Sequence, residues 1–267
     1  MKVLTKVVTI MIMISSILAV SCVSDKTLSM KKAVEARKSI RQFPDDMPLF
    51  DSKIEMIQGW IKRVNEESGL NVEFIADGNV AINPEVYTRF SGPKSLIVMK
   101  GAANDENLAE KVGYFGEELV LKCVSKGLGT CWVGGSVDRG AINVPNGEML
   151  ICVIAVGNTK DGINPPVESR DRKPIEERIN SNEEYPKWVY YGAEAVQAAP
   201  SAMNAQTPMI NYIDGKVTMS VDISDNDGVA ALLSLVDLGI AKKHFEIGAG
   251  SGTFDFGNNA EFKKIIY

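Results

Sequence analysis

The run Met-Leu-Ile-Cys-Val-Ile-Ala-Val at 149–156 has no polar side chain, and Ile151, Val153, Ile154 and Val156 are β-branched. Such a run reads as a buried strand, so the chain has to cover a sheet on both faces. A second apolar run at 95–100, with Leu96, Ile97, Val98 and Met99, also reads as a strand. Between them, residues 108–126 repeat apolar side chains at helical spacing and stop at Gly127, which predicts a long helix. Residues 51–67 space Ile54, Ile57, Trp60, Ile61 and Val64 along one helical face, with Asp51 as the cap. Shorter strands are expected at 71–76 and from Cys131.

Residues 157–173, with Pro165 and Pro166, read as a loop and as the boundary between halves 30–165 and 166–267. Beyond it, 188–198 is helical and stops before Pro200. Residues 209–223 form a hairpin, because Asp214-Gly215 supplies the positive φ of a tight turn. Residues 227–245 are a further helix with Asp227 at its N-cap. The series of a strand, an apolar helix and a Gly-containing turn occurs in both halves, ending at Lys126-Gly127-Leu128-Gly129 and at Asp237-Leu238-Gly239-Ile240. Two related halves would produce this pattern, and so would an ordinary α+β fold.

The chain has 267 residues, 45% hydrophobic and 24% charged, with a formal charge of −5. This is an ordinary globular composition. An acidic chain without a basic cluster lacks the footprint of a nucleic-acid binder. The one histidine, His244, can serve at most one catalytic or metal-ligating role, which counts against triads and most zinc sites. No metal ligands and no catalytic side chain are assigned. The basic start, the apolar stretch 7–20 and the sequence Leu-Ala-Val-Ser-Cys ending at Cys22 resemble a bacterial lipoprotein signal. On that reading 1–21 is removed, Cys22 is lipidated, 22–29 is a tether, and the protein is membrane-anchored on the exported side. An ordinary secretory signal is the alternative. Cys123 and Cys152 read as buried hydrophobes.

Two motifs mislead. The glycine-rich 246–253 follows a helix instead of a strand, so it lacks the context of a nucleotide loop and reads as a helix-to-strand connection. The acidic 222–228 puts Ile223 and Ser234 where a calcium loop needs oxygen-rich ligands.

Four other segments carry chemistry. Arg37-Lys38-Ser39-Ile40-Arg41 sets cations and a hydroxyl together, as phosphate binding requires, although a solvated helix end has the same composition. Pro200-Ser201-Ala202-Met203-Asn204-Ala205-Gln206 offers hydroxyl and amide groups suited to the edge of a neutral heterocycle. Residues 127–135, Gly-Leu-Gly-Thr-Cys-Trp-Val-Gly-Gly, allow close backbone approach to a ligand, with Trp132 either core or pocket wall. The fourth runs from Gly157 to Arg170-Asp171-Arg172-Lys173-Pro174-Ile175-Glu176-Glu177.

Together these segments resemble the FMN-dependent nitroreductase family, over about residues 30–249. The order, with the Pro-Ser-Ala-Met-Asn-Ala-Gln turn after the Gly-Leu-Gly-Thr segment, resembles a subgroup holding two such halves in one chain. The resemblance implies an α-β-α sandwich with a mixed sheet, binding FMN. It assigns Arg37 and Ser39, with Lys38 and Arg41 nearby and with Arg172 and Lys173, to the cofactor's phosphate. Pro200, Ser201, Asn204 and Gln206 go to the ring and ribityl chain, and Gly134 and Gly135 to the isoalloxazine. Family members usually read Asn-x-Gln-Pro-Trp, whereas this chain has Gln206-Thr207-Pro208-Met209. The implied activity is ping-pong transfer from NAD(P)H or another donor to a nitroaromatic, quinone or similar acceptor. A flavin-binding protein without turnover is the alternative. One chain with two halves is expected to be a monomer imitating a dimer, or else a homodimer.

Overall fold

A computed structural model describes residues 27–164, 166–224 and 228–265. The signal 1–21, Cys22 and the Asp227 cap lie outside the described residues. Strands β1 (Glu73–Ile75), β2 (Ser95–Ala102), β3 (Leu128–Val133) and β4 (Glu148–Asn158) form an antiparallel sheet in the order β1-β2-β4-β3. The central strands are buried on both faces, as their composition requires. Ile97, Met99, Cys152, Ile154 and Val156 meet helices α1 (Met30–Ala36), α2 (Asp51–Ser68) and α3 (Leu108–Ser125). The alternate residues, Leu96, Val98, Val153 and Ala155, pack under loops through Phe43, Ile82, Phe90 and Ile142.

The second sheet is mixed. Strand β5 (Ile179–Ser181) runs parallel to β6 (Met209–Ile213), which pairs antiparallel with β7 (Lys216–Ser220). Asp214 and Gly215 turn the hairpin at φ 51° and 74°. Helices α4 (Lys187–Ala198) and α5 (Gly228–Ala249) cover this sheet, with Val189, Ala193, Leu238 and Phe245 against Ile210, Val217 and Met219. A short pair, β8 (Thr253–Phe254) with β9 (Phe262–Lys263), closes the chain.

Helices α3 and α5 join the two sheets by an unusually close crossing. A Cβ on Gly113 would lie 2.0 Å from the Val236 carbonyl oxygen, and one on Gly239 would lie 2.0 Å from that of Glu110. The contact is reciprocal, down to the Ile240 nitrogen beside Gly113 and the Tyr114 nitrogen beside Gly239. Lys242 donates to Glu110 and to the carbonyls of Asp255 and Gly257, tying the C-terminal segment to the same crossing.

Several local expectations change. Asp51 is the first helical residue of α2 and not its cap. Phe50 stands at the cap without a side-chain hydrogen bond, and Asp51 acts only as a favourable charge in the first turn. Strand β3 begins at Leu128, before Cys131, and β1 is shorter than 71–76. Asp237-Leu238-Gly239-Ile240 is not a turn. It lies within α5, because Gly239 serves the helix crossing and does not end the helix. Residues 246–249 complete that helix, and Gly250 and Gly252, both at positive φ, lead out to β8. The end of the expected tether is part of the fold. The Leu28 N–H donates to Ser125 O at 3.0 Å, and Leu28 packs on the α3 core.

Candidate functional site

Residues 37–42 run extended beside β3, with the Ile40 N–H donating to Thr130 O. Extended backbone sends alternate side chains to opposite faces. Arg37, Ser39 and Arg41 accordingly all act on the Cys131 thiol and work against the rise that its burial imposes. Lys38 points the other way, into a cavity it shares with Gln42, Phe43 and Asn164, and does not join the cluster. Ser39 and Arg41 are exposed, whereas Arg37 is only 3% exposed. Its Nη2 donates to Ala198 O at 3.4 Å, and its Nε faces Glu117 at 4.0 Å without a hydrogen bond.

The second phosphate-binding candidate, Arg172, meets the 200–206 turn directly. Arg172 Nη1 donates to Asn204 Oδ1 at 2.5 Å, and its Nε donates to Gln197 O at 2.9 Å. Asn204 Nδ2 donates to Asp171 O, and the Lys173 N–H donates to Gln206 Oε1. Ser201 Oγ accepts the Gln206 N–H at 3.0 Å. Pro200 follows the end of α4 at Ala199 and starts the turn. Met203, Asn204 and Gln206 have φ of 51°, 58° and 54°. Three non-glycine residues in left-handed geometry cost about 1 kcal/mol or more each. Met203 is also 97% exposed, so nothing in its packing offsets that cost. Gly134 and Gly135 follow β3, and a Cβ on Gly134 would reach Leu233 of α5, one helical turn from the Asp237 that holds the 200–206 turn.

The cluster therefore unites Arg37, Arg172 and Lys173 with Ser201, Asn204 and Gln206, with Gly134 and Gly135 at its α5 edge. Two further arginines belong to it that the motifs alone did not single out. Arg170 donates to the carbonyls of Val34 and Glu35, and burial together with Arg37 and Arg172 lowers its pKa to about 10. Arg178 is buried with an unpartnered Nε, and burial and Arg172 lower its pKa. Arg37 is lowered by burial first, with Arg172 adding to it against Glu117. A guanidinium stays protonated through such shifts. What they register is burial first and, for Arg37, Arg170 and Arg178, the neighbouring arginines second, and among the described residues no carboxylate comes within 4.0 Å of the Arg170, Arg172 or Arg178 guanidinium. The Arg-x-Arg spacing of 170 and 172 was the signal for the first; Arg178 had none.

Beneath the cluster lies a buried polar network. Glu117 accepts from Trp132 Nε1 at 2.8 Å and contacts His244 Nε2 at 2.9 Å, while His244 Nδ1 lies 2.9 Å from Ala195 O. Glu117 and His244 are both fully buried, so the lone histidine is structural. Asp237 lies under the 200–206 turn, with its two oxygens 2.9 and 3.1 Å from the Ala202 N–H. Burial pushes it up to about 7, against the Ala202 hydrogen bond and Arg178. The folded state thus holds a proton that the unfolded chain has released, and this contribution to stability is lost as pH rises through about 7. Among the described residues Cys123, Cys131 and Cys152 are buried and free, and burial pushes the Cys123 and Cys152 thiols up to about 12.

The family model described as "Putative TM nitroreductase" matches residues 29–249. The fold is similar to a structure titled "putative nitroreductase" from Thermotoga maritima, with TM-score 0.60 and 22% identity over 90% of this chain and 94% of that one. Other solved structures align over little more than half of this chain. An FMN-dependent nitroreductase from Clostridium difficile aligns at TM-score 0.44 and 17% identity, over 58% of this chain and 99% of that one. Nitroreductase A from Vibrio parahaemolyticus aligns at TM-score 0.44 and 17% identity, over 60% and 78%. No curated protein matches the sequence significantly. With the family model spanning most of its length, the chain belongs to the nitroreductase family.

Proposed function

We propose that the protein is an FMN-dependent oxidoreductase. The observation that carries this reading is the set of crowded arginines, Arg37, Arg170, Arg172 and Arg178, beside a turn of neutral donors and acceptors. Surplus buried cation charge suits a dianionic phosphate, and the Ser201–Asn204–Gln206 groups suit a flavin edge that must be bound without a full charge. Arg172 bridges the two, since the guanidinium beside the phosphate cations also holds Asn204. Bound there, FMN supplies the hydride chemistry, and the chain's residues bind it, orient it and set the field around it. NAD(P)H or another reductant is the donor, and a nitroaromatic, quinone or similar small molecule the acceptor. Exposed Met203 stands at the tip of the turn, where an acceptor would meet it.

The two-halved chain would provide this site as a monomer imitating a dimer, a reading that the reciprocal α3–α5 crossing supports. Lipidation at Cys22 would anchor it to a membrane on the exported side. Cys22→Ser is expected to move the protein from the membrane fraction to the soluble fraction, and retention in membranes would count against the anchor.

The direct test is the absorption spectrum of the purified chain after addition of FMN and desalting. Retained flavin bands are expected. Arg172→Ala should weaken FMN binding by about 1.5–3 kcal/mol, the size of a charge-assisted hydrogen bond. A colourless chain that takes up no FMN would overturn the flavin reading.

A further inference from the structure

We propose that Asp237 is a positioning residue for the 200–206 turn, whose ionised carboxylate fixes the turn through the Ala202 N–H and so sets the affinity of the site for FMN. The inference rests on the flavin reading above, but its first element, the hold on the turn, can be tested without flavin.

The geometry is specific. Asp237 is the one acid of α5 before Glu246, it sits in the stretch 229–241 whose only other polar side chain is Ser234, and it is 4% exposed. Both of its oxygens converge on one backbone N–H, that of Ala202, at 2.9 and 3.1 Å. Ala202 lies between Ser201, which accepts the Gln206 N–H, and Asn204, which accepts from Arg172. The carboxylate thus bonds the turn to a rigid helix at one point, and the phosphate-side arginine bonds it at another.

The turn needs such an anchor, because Met203, Asn204 and Gln206 all sit in left-handed geometry. A segment in that conformation relaxes unless its surroundings hold it. A turn held in place binds its ligand without the cost of ordering.

Few other charges face Asp237. Arg178, from the segment before β5, acts on it as a counter-charge. On α3 the nearby acids are engaged elsewhere, Glu110 with Lys242 and Glu117 with His244. Helix α4 sets Tyr191 against Gly248 and Ala195 against His244. After Ala195 the helix has only Val196, Gln197 and Ala198 left before the turn, and none of them titrates. The turn itself contributes only Ser201 and amides. The ionised carboxylate is the stronger acceptor, since a hydrogen bond to a charged group is about twice as strong as a neutral one. Protonation near pH 7 loosens the turn.

The test uses the full chain and Asp237→Asn, which preserves shape and one acceptor oxygen. Hydrogen exchange across 200–206 comes first. In the wild type, protection of the Ala202 amide is expected to rise about fivefold from pH 6 to pH 8, after correction for intrinsic exchange. In Asp237→Asn it should be low and flat. The global unfolding midpoint of the variant at pH 8 should hold or rise, because a buried charge has been removed. A merely structural residue would lower both together.

FMN affinity, read from flavin fluorescence, is then expected to strengthen about fivefold over the same pH range in the wild type. A phosphate step near pH 6 is common to both chains, so only the difference between them reports Asp237. Equal protection and equal pH profiles in the two chains would overturn the proposal. If neither chain binds FMN, the flavin reading and the affinity half of the proposal fall. The exchange measurement still decides whether Asp237 holds the turn. Should Asp237→Asn fail to fold, the wild-type protection profile alone decides, and a flat profile overturns the proposal.

Discussion

Gly239→Ala is expected to destabilise the protein by about 4 kcal/mol, and in a chain of ordinary stability that is enough to leave much of it unfolded. The added Cβ would sit 2.0 Å from the Glu110 carbonyl oxygen, and the atom in its way is helix backbone. A flexible side chain could swing aside, whereas here α3 and α5 would have to separate as bodies. Because those helices join the two sheets, separation would strip Val112, Val236 and Ile240 out of one shared core. Gly113→Ala should act with similar force through Val236. Gly59→Ala on α2 is the control, since nothing lies within 4 Å of its Cβ. There alanine should stabilise by about 0.5–1 kcal/mol through helix propensity alone. Urea unfolding midpoints of the three variants test the crossing. Equal midpoints for Gly239→Ala and wild type would contradict the packing described.

The second large effect is expected at Glu117. Its carboxylate is fully buried and serves Trp132 Nε1, His244 Nε2 and, at 4.0 Å, Arg37. His244 has an oxygen partner at each ring nitrogen, Ala195 O at Nδ1 and Glu117 at Nε2, so the ring is held from both sides. Glu117→Ala takes the acceptor from Trp132 Nε1 and the partner from His244 Nε2, and it removes the carboxylate that Arg37 faces. Each buried polar group left without its partner costs about 1–3 kcal/mol. Glu117→Gln keeps the volume and one acceptor, yet turns an NH2 group toward groups that already donate, and should cost less than the alanine variant. Thermal unfolding ranks the two. A Glu117→Ala protein that melts with the wild type would show that the network is not sustained in solution. Glu117 also faces Arg37, so loss of FMN affinity is expected in parallel.

The core was legible because burial on both sides leaves an unbroken apolar string, as in 149–156, and because α3 keeps its helical period. The hairpin was legible because Asp214-Gly215 meets a local backbone demand. What escaped depends on contacts distant in sequence. Asp51 has the composition of a cap, but the backbone places Phe50 there. Gly239 resembled the end of a helix, since a glycine that admits a neighbouring helix and a glycine that terminates one are the same letter. At the site, the segment 37–41 showed its cations and hydroxyl but not their sides: Lys38 was grouped with Arg37, Ser39 and Arg41, and only the extended backbone beside β3 sends it the other way. Asp237 gave a faint signal, an acid within the apolar first part of its helix. Arg178 gave none, because its role arises only where β5 comes against the turn.

The reciprocal glycine contact has a consequence for concentration. When two copies of a chain meet about a two-fold axis, the contact is a binding equilibrium, and it dissociates on dilution. Here Gly113 meets Val236 and Gly239 meets Glu110 within one covalent chain. Mass action has no hold on this contact, so it persists at any dilution at which the fold itself persists. The two glycines are also encoded separately. A change at one is not automatically repeated at the other, and each end of the crossing is free to follow its own chemistry.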